Sequence, residues 1–352
     1  GTEPITDTPS GSGGDANSNL TLDFGFLPLD WGDLPDTSLS NTYPTTLADN
    51  GPRHVIQAIN NPTLGSQIDA ETDGQPSTGA DGDDTANLDD EDGVVWSSLL
   101  RGQTSTFTVT TSGSTGFLNG WIDWNGDGDF DDAGEQVFTG QNLALGSNSL
   151  NVSVPATATI TGSIYMRFRY STSDTLSYTG FAPDGEVEDY ITRIVVYDLG
   201  DLPETRGYPT LLAGSGAAHI IDGTYLGAGV DAELDGQPTD GANGDDNTAT
   251  DDEDGVVFLT PFIAGREAQI RVTAGTTGYL NSWFDFDGDG TLDTFTITDI
   301  NGTPVSQASN SDIFFNATGD YTITLQVPNV TISSSLYSRF RYTTNPGEAN
   351  TP

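Results

Sequence analysis

The stretch from Asp123 to Glu135 reads DWNGDGDFDDAGE and places oxygen-bearing side chains two residues apart. Asp123, Asn125, Asp127 and Asp129 alternate, Gly128 permits a sharp turn, and Asp131, Asp132 and Glu135 follow. Calcium takes roughly six to eight hard oxygens, supplied by Asp, Asn and backbone carbonyls at alternate positions of such a loop. Counted from Asp123, ligands fill the first four odd positions and Asp131 the ninth. The twelfth position is Gly134, with Glu135 one residue beyond, so spacing alone leaves the bidentate ligand unassigned. A second loop, DFDGDGTLD, repeats the pattern with Asp285, Asp287, Asp289 and Asp293 around Gly290. Thr291 and Thr296 stand there where carboxylates could be. The second loop is expected to bind more weakly or to be completed from elsewhere.

A second kind of acidic segment precedes each loop. Asp69, Glu71 and Asp73 are followed by Asp81, Asp83, Asp84, Asp89, Asp90, Glu91 and Asp92, with no base between them. The counterpart runs through Asp231, Glu233 and Asp235 to Asp251, Asp252, Glu253 and Asp254. A solvated acidic loop is one reading. Close carboxylates, however, repel at about 1 kcal/mol per pair even in water, and a divalent cation relieves that repulsion. Magnesium keeps its waters more tightly. Zinc and copper lack suitable donors in a chain with no Cys and two His. Several calcium ions per chain are therefore expected.

These loops need a scaffold, and the chain supplies it twice. DWGDLP at Asp30 returns as DLGDLP at Asp198, and YPTTLADNGPRHVI at Tyr43 as YPTLLAGSGAAHII at Tyr208. GFLNGWIDWNGDGDFDD at Gly116 returns as GYLNSWFDFDGDGTLDT at Gly278, and YMRFRY at Tyr165 as YSRFRY at Tyr337. Collinear matches of this kind mark tandem homologous domains. Between the turns, STFTVTTS, IYMRFRYS, YITRIVVY, AQIRVTAG and YTITLQVP alternate or enrich β-branched and aromatic residues. No helical period runs for a dozen residues, so the loops lack EF-hand helices. The expected fold is all-β: two tandem β-sandwich domains with long acidic loops, at 29–197 and 198–352, preceded by a linker and orphan strand at 1–28.

Composition narrows the function classes. Fifty-two acids against ten bases give a net charge of −42, which repels phosphate and excludes a nucleic-acid partner. Twelve Tyr, sixteen Phe and five Trp argue for packed cores rather than disorder. Every base is Arg, so lysine-dependent isopeptide crosslinks are excluded along with disulfides. No apolar run is long enough to span a membrane. Gly1 in place of Met suggests processing or an excerpt.

Asp184 to Ile191 reads DGEVEDYI. Together with DLGDLP, YPT, DGQP, DDEDGV and DWNGDGDFDDAGE, it resembles the GEVED domain of large bacterial secreted and cell-surface proteins. The resemblance implies an extracellular β-rich module of adhesins and repeat-built surface proteins, with Glu186, Glu188 and Asp189 on a closing strand. At strand period Glu186 and Glu188 share a face, within reach of an Arg pair or a calcium site. Arg167 with Arg169, and Arg339 with Arg341 in the second copy, are the candidate partners in an ion-pair ladder.

SNLTLDFGF, residues 18–26, is similar to the last strand of B-type domains in serine-aspartate-repeat surface proteins. The second copy shows no GEVEDYITRIVVY counterpart. Either the chain is a window onto a longer polypeptide, or residues 19–26 complete the next subunit head-to-tail and build a filament. His54 and His219 occupy matching repeat positions, and no triad or phosphate loop is apparent, so no enzyme is expected. The expected function is a calcium-stiffened structural module of a surface adhesin, fibre or sheath. The alternative is calcium-dependent glycan or surface binding, with Trp96, Trp121 and Trp124 available to stack on sugars unless the cores bury them.

Overall fold

The structure, a computed structural model, describes residues 27–36, 43–82, 89–159, 162–244, 252–293, 295–298, 304–306, 312–331, 335–348 and 351. The N-terminal strand expected at 18–26, and Asp83, Asp84 and Asp251, lie outside these residues. The described chain is all-β, and its helical turns are three-residue 3-10 pieces such as Leu47–Asp49 and Leu212–Gly214. Two compact units emerge. The first comprises the chain up to Ser97 with Thr106–Val152 and Ser163–Thr192. The second comprises Arg193–Pro352 with Ser98–Ser105 and Ser153–Gly162.

In the first unit a four-stranded antiparallel sheet runs in the order Glu186–Thr192, Ile164–Ser171, Gly116–Ile122, Gln136–Leu143. Another sheet is centred on Thr104–Gly113, where period-two alternation turns Ser105, Phe107, Val109 and Thr111 inward. The Phe107 ring meets Phe138 and Phe168 of the four-stranded sheet at centroid distances of 6.2 and 6.0 Å. Ile164–Ser171 is buried on nearly its whole length. Phe168 and Tyr170 face that core, while Arg167 and Arg169 face segments that wrap the other side.

The second unit repeats the central pairing. Gly278–Asp285 pairs with Tyr337–Thr343 so that Trp283 opposes Arg339 and Asn281 opposes Arg341. Trp121 and Asn119 oppose Arg167 and Arg169 in the same way. Its core gathers Ile270, Val272, Leu280, Phe284, Phe286 and Phe315. Among the described residues, Tyr337–Thr343 has no strand on its other edge, where Ile164–Ser171 has Glu186–Thr192. A cavity of about 660 Å³ lies alongside that edge, lined in part by His219, Arg339 and Arg341.

Small apolar clusters anchor the acidic loops. Leu34, Tyr43, Ala80, Trp121 and Phe130 pack together in the first unit, and Leu202, Tyr208 and Tyr337, with Ala242 and Leu292, in the second. Trp121 and Trp124 are buried and Trp96 is half-buried, which removes the first two from any sugar-stacking surface.

Candidate metal centres

The first loop is wound around Asp123, which is 1% exposed. Its Oδ1 accepts from Gly126 N at 2.7 Å and its Oδ2 from Gly128 N at 3.0 Å. Both glycines have positive φ, 71° and 97°, which is why the tight turn requires them. The Tyr43 hydroxyl donates to Asp123 Oδ2 at 2.5 Å, and burial, then this contact, pushes the phenol's pKa up. Further along, Asp127 N donates to Asn125 Oδ1, Asp129 N to Asp127 Oδ1, and Asp131 N to Asp129 Oδ1, at 3.0, 3.3 and 2.9 Å. Asn125, Asp127 and Asp129 thus each hold the backbone two residues on. Asn125 Nδ2 donates to Asp127 and Asp132, and the Tyr178 hydroxyl to Asp131.

Glu135 sits at the edge of this loop, where Ile122 N donates to its carbonyl. It is 2% exposed; Oε2 accepts from Asp132 N at 3.1 Å, and Oε1 has no hydrogen-bond partner among the described residues. Burial, then the charges of Asp123, Asp127 and Asp132, raise its carboxyl to about 7, against the lowering pull of the Asp132 N–H. The strand that follows, Gln136–Leu143, pairs irregularly with Gly116–Ile122 around Gly120.

The second loop repeats the core of this design. Asp285 is fully buried, accepts from Gly288 N at 2.6 Å and Gly290 N at 2.9 Å, and receives the Tyr208 hydroxyl. Asp285, Asp287 and Asp289 each place a carboxylate oxygen within 4.8 Å of the others, the one such group of three acids among the described residues. Asp293 folds back so that Oδ2 accepts from Phe286 N at 2.6 Å. Burial, then Asp287, Asp285 and Asp289, raises its pKa. Thr291 contributes a backbone N–H to Asp289 rather than a ligand charge. Carboxylate convergence is thus closer in the second loop than in the first, where an asparagine amide stands between the acids.

Among the described residues, the longer acidic segments of the two units share several hydrogen bonds, although Glu253–Gly255 forms a 3-10 turn that the first unit lacks. Asp73 accepts from Leu47 N and Gly74 N, and Asp235 from Leu212 N and Gly236 N, so these two hold turns. Glu71 accepts from Trp31 N and Glu233 from Leu199 N. Asp90 accepts from Asp69 N and Asp252 from Asp231 N; Asp92 takes Ser66 N and Asp254 takes Ala228 N. Asp89 and Glu253 are exposed, and Glu91 is half-buried. Burial, then Asp198 and Asp231, pushes the Glu233 carboxyl up to about 8.

The ion-pair ladder expected for Glu186 and Glu188 is not formed. Arg167 pairs instead with Asp189, Nε to Oδ1 and NH2 to Oδ2 at 2.7 Å each, with both side chains fully buried. Arg169 donates to His54 Nε2 and to the carbonyls of Ser177, Thr179 and Gly180. The reason is register: Asp189 and Val187 oppose the arginines, while Glu186 and Glu188 oppose Tyr170 and Phe168 on the other face. In the second unit Arg339 donates to Pro209 O and Thr210 Oγ1, as Arg167 does to Pro44 O and Thr45 Oγ1 beside its pairing with Asp189. Sequence reasoning missed Asp30, Tyr43 and Tyr208 as partners of the acids, although each lies in a repeated motif.

A family model described as the GEVED domain matches residues 117–193. The matched span contains the first loop, the arginine strand and the Glu186–Asp189 run. No curated protein matches the chain. Among solved structures, the secreted serine protease VesC from Vibrio cholerae is 11% identical, over 71% of this chain and 50% of that one, with a TM-score of 0.16. The chain spans about half the length of that protein, and a likeness so slight carries no argument about fold or activity. No helix among the described residues is long and apolar enough to cross a membrane.

Proposed function

We propose that this chain is an extracellular structural module, part of a bacterial surface adhesin, fibre or sheath, whose two tandem β-sandwich units are made rigid by calcium in their acidic loops. The GEVED match supports the surface setting. The observation that carries the calcium reading is Glu135 Oε1, a buried carboxylate oxygen without a partner beside Asp123, Asp127 and Asp132. Such a group is costly unless a proton or a cation neutralises it. An all-oxygen set of this kind suits calcium. With no helix pair to open, the loops act as rivets rather than sensors, and binding stabilises the fold by mass action.

Calorimetric titration of the chelator-treated chain tests this. Calcium should bind with Glu135→Gln losing one ion, whereas an absence of binding in the unsubstituted chain would overturn the reading. Assembly is part of the same proposal: the edge of Tyr337–Thr343 that is unpaired among the described residues, and its neighbouring cavity, suit an added extended strand, with residues 19–26 as donor. Removing residues 1–27 should leave monomers in sedimentation, and filaments that persist would exclude that donor.

A further inference from the structure

Four carboxylates in the first unit are buried together, away from the Asp123 loop. Glu186, Glu188, Asp30 and Asp90 are 0, 1, 2 and 5% exposed. They come from three separate segments drawn together by backbone donors. Glu186 Oε2 accepts from Leu64 N at 2.5 Å and Glu188 Oε1 from Gly93 N at 2.8 Å. Asp30 Oδ2 accepts from Val187 N at 2.6 Å and Asp90 Oδ2 from Asp69 N at 3.0 Å. The Tyr190 hydroxyl donates to Glu188 Oε2. A Cβ built on Gly93 would stand 2.8 Å from Glu188 Oε1 and 2.5 Å from Leu64 Cβ, so the segments are in close contact.

Glu186 Oε1 has no hydrogen-bond partner among the described residues. Burial, then Glu188, Asp30 and Asp90, drives the Glu186 carboxyl well above its ordinary range. Burial, then Asp92 and Asp90, raises Glu188 to about 8 despite the Gly93 and Tyr190 donors. Arg169 acts electrostatically on Asp30 at one side of the cluster, whereas Glu186 and Glu188 oppose Tyr170 and Phe168 on the face of the sheet away from both arginines. A buried carboxylate such as Glu186, with other acids around it, is costly as an ion, and a proton or a cation from outside the chain relieves that cost.

We propose that Glu186, Glu188, Asp90 and Asp30 form a second, buried calcium site that fastens the GEVED strand to segments 64–69 and 89–93. The donors are oxygen only, which excludes the nitrogen- and sulfur-seeking metals. Their burial disfavours magnesium, which gives up its waters reluctantly. A carboxylate oxygen has two lone pairs, so one that accepts an N–H can also face an ion. No three of these acids stand as close as Asp285, Asp287 and Asp289 do. Binding therefore draws Glu186 Oε1 inward. The site does not depend on the loop sites for its chemistry.

Calcium content after dialysis of the full chain against calcium, then calcium-free buffer, decides the matter. Glu186→Gln, which preserves volume and mimics the protonated acid, should hold one ion fewer than the unsubstituted chain, and Glu186→Gln with Glu135→Gln two fewer. An unchanged count in Glu186→Gln, with an equal or higher melting temperature, would show that a proton neutralises the cluster and overturn the proposal. An unchanged count in Glu135→Gln alone would sink the loop reading and leave this site standing. Should Glu186→Gln fail to fold by circular dichroism, terbium added to the Glu135→Gln, Asp287→Asn chain replaces that arm. Sensitised emission through Trp96 and Tyr190, whose rings lie 5.4 Å apart beside Glu188, is expected. No emission would overturn the proposal.

Discussion

Glu135 carries a charge whose cost depends on its surroundings. At pH 8 and without metal, its carboxylate is buried beside three other acids. Glu135→Gln should then leave the chelated chain as stable as before, or more so, while abolishing part of the gain from calcium; thermal melts in the two buffers read both effects. His219 gives a metal-independent prediction. Burial, then Arg341, lowers its pKa from 6.5 to about 4. Below pH 6.5 the unfolded chain takes up a proton that the folded chain refuses. Stability present above that pH is thus lost as pH falls towards 4, by up to about 3 kcal/mol. In constant calcium, His219→Gln should flatten this part of the pH profile of urea midpoints. The alternating oxygens of both loops were legible as sequence, because local spacing sets them. Tyr43 and Tyr208 were not, since they reach their aspartates from 80 and 77 residues away.

Strands such as GFLNGWI and IYMRFRYS announce themselves by β-branched and aromatic enrichment, and the structure places strands at Gly116–Ile122 and Ile164–Ser171. Which acids meet which arginines was not legible. A one-residue change of register exchanges the faces of a strand, and pairing is decided by tertiary packing. The sequence pointed to Glu186 and Glu188; the register selects Asp189. Breaking a buried pair strands its partner, at a cost of about 3–5 kcal/mol. Asp189→Asn should therefore lower the stability of the first unit by that order in urea denaturation. Arg339→Met, which parts no contacting carboxylate, should cost clearly less.

Across the whole chain, a net charge of −42 makes self-repulsion a standing term against compactness. Salt screens exposed charges with a Debye length of about 10 Å at 0.1 M, so the chelated chain should melt higher in 0.5 M than in 0.02 M sodium chloride. Calcium should shrink that difference, because bound ions act where salt does not reach. The repeat and the all-β character were plain in the sequence, since collinear motifs and strand periodicity need no tertiary information. A calcium site near Glu186 and Glu188 was one of two readings the sequence offered, but Asp30 and Asp90 as their neighbours were not legible, because those segments are brought together only by folding. The most direct test of calcium as the stiffening element is the melting temperature of the unsubstituted chain in millimolar calcium, millimolar magnesium and chelator. The account predicts the highest value in calcium, equivalent to about 2.7 kcal/mol per site at a hundredfold excess over Kd. Superimposable melts in calcium and chelator would contradict it.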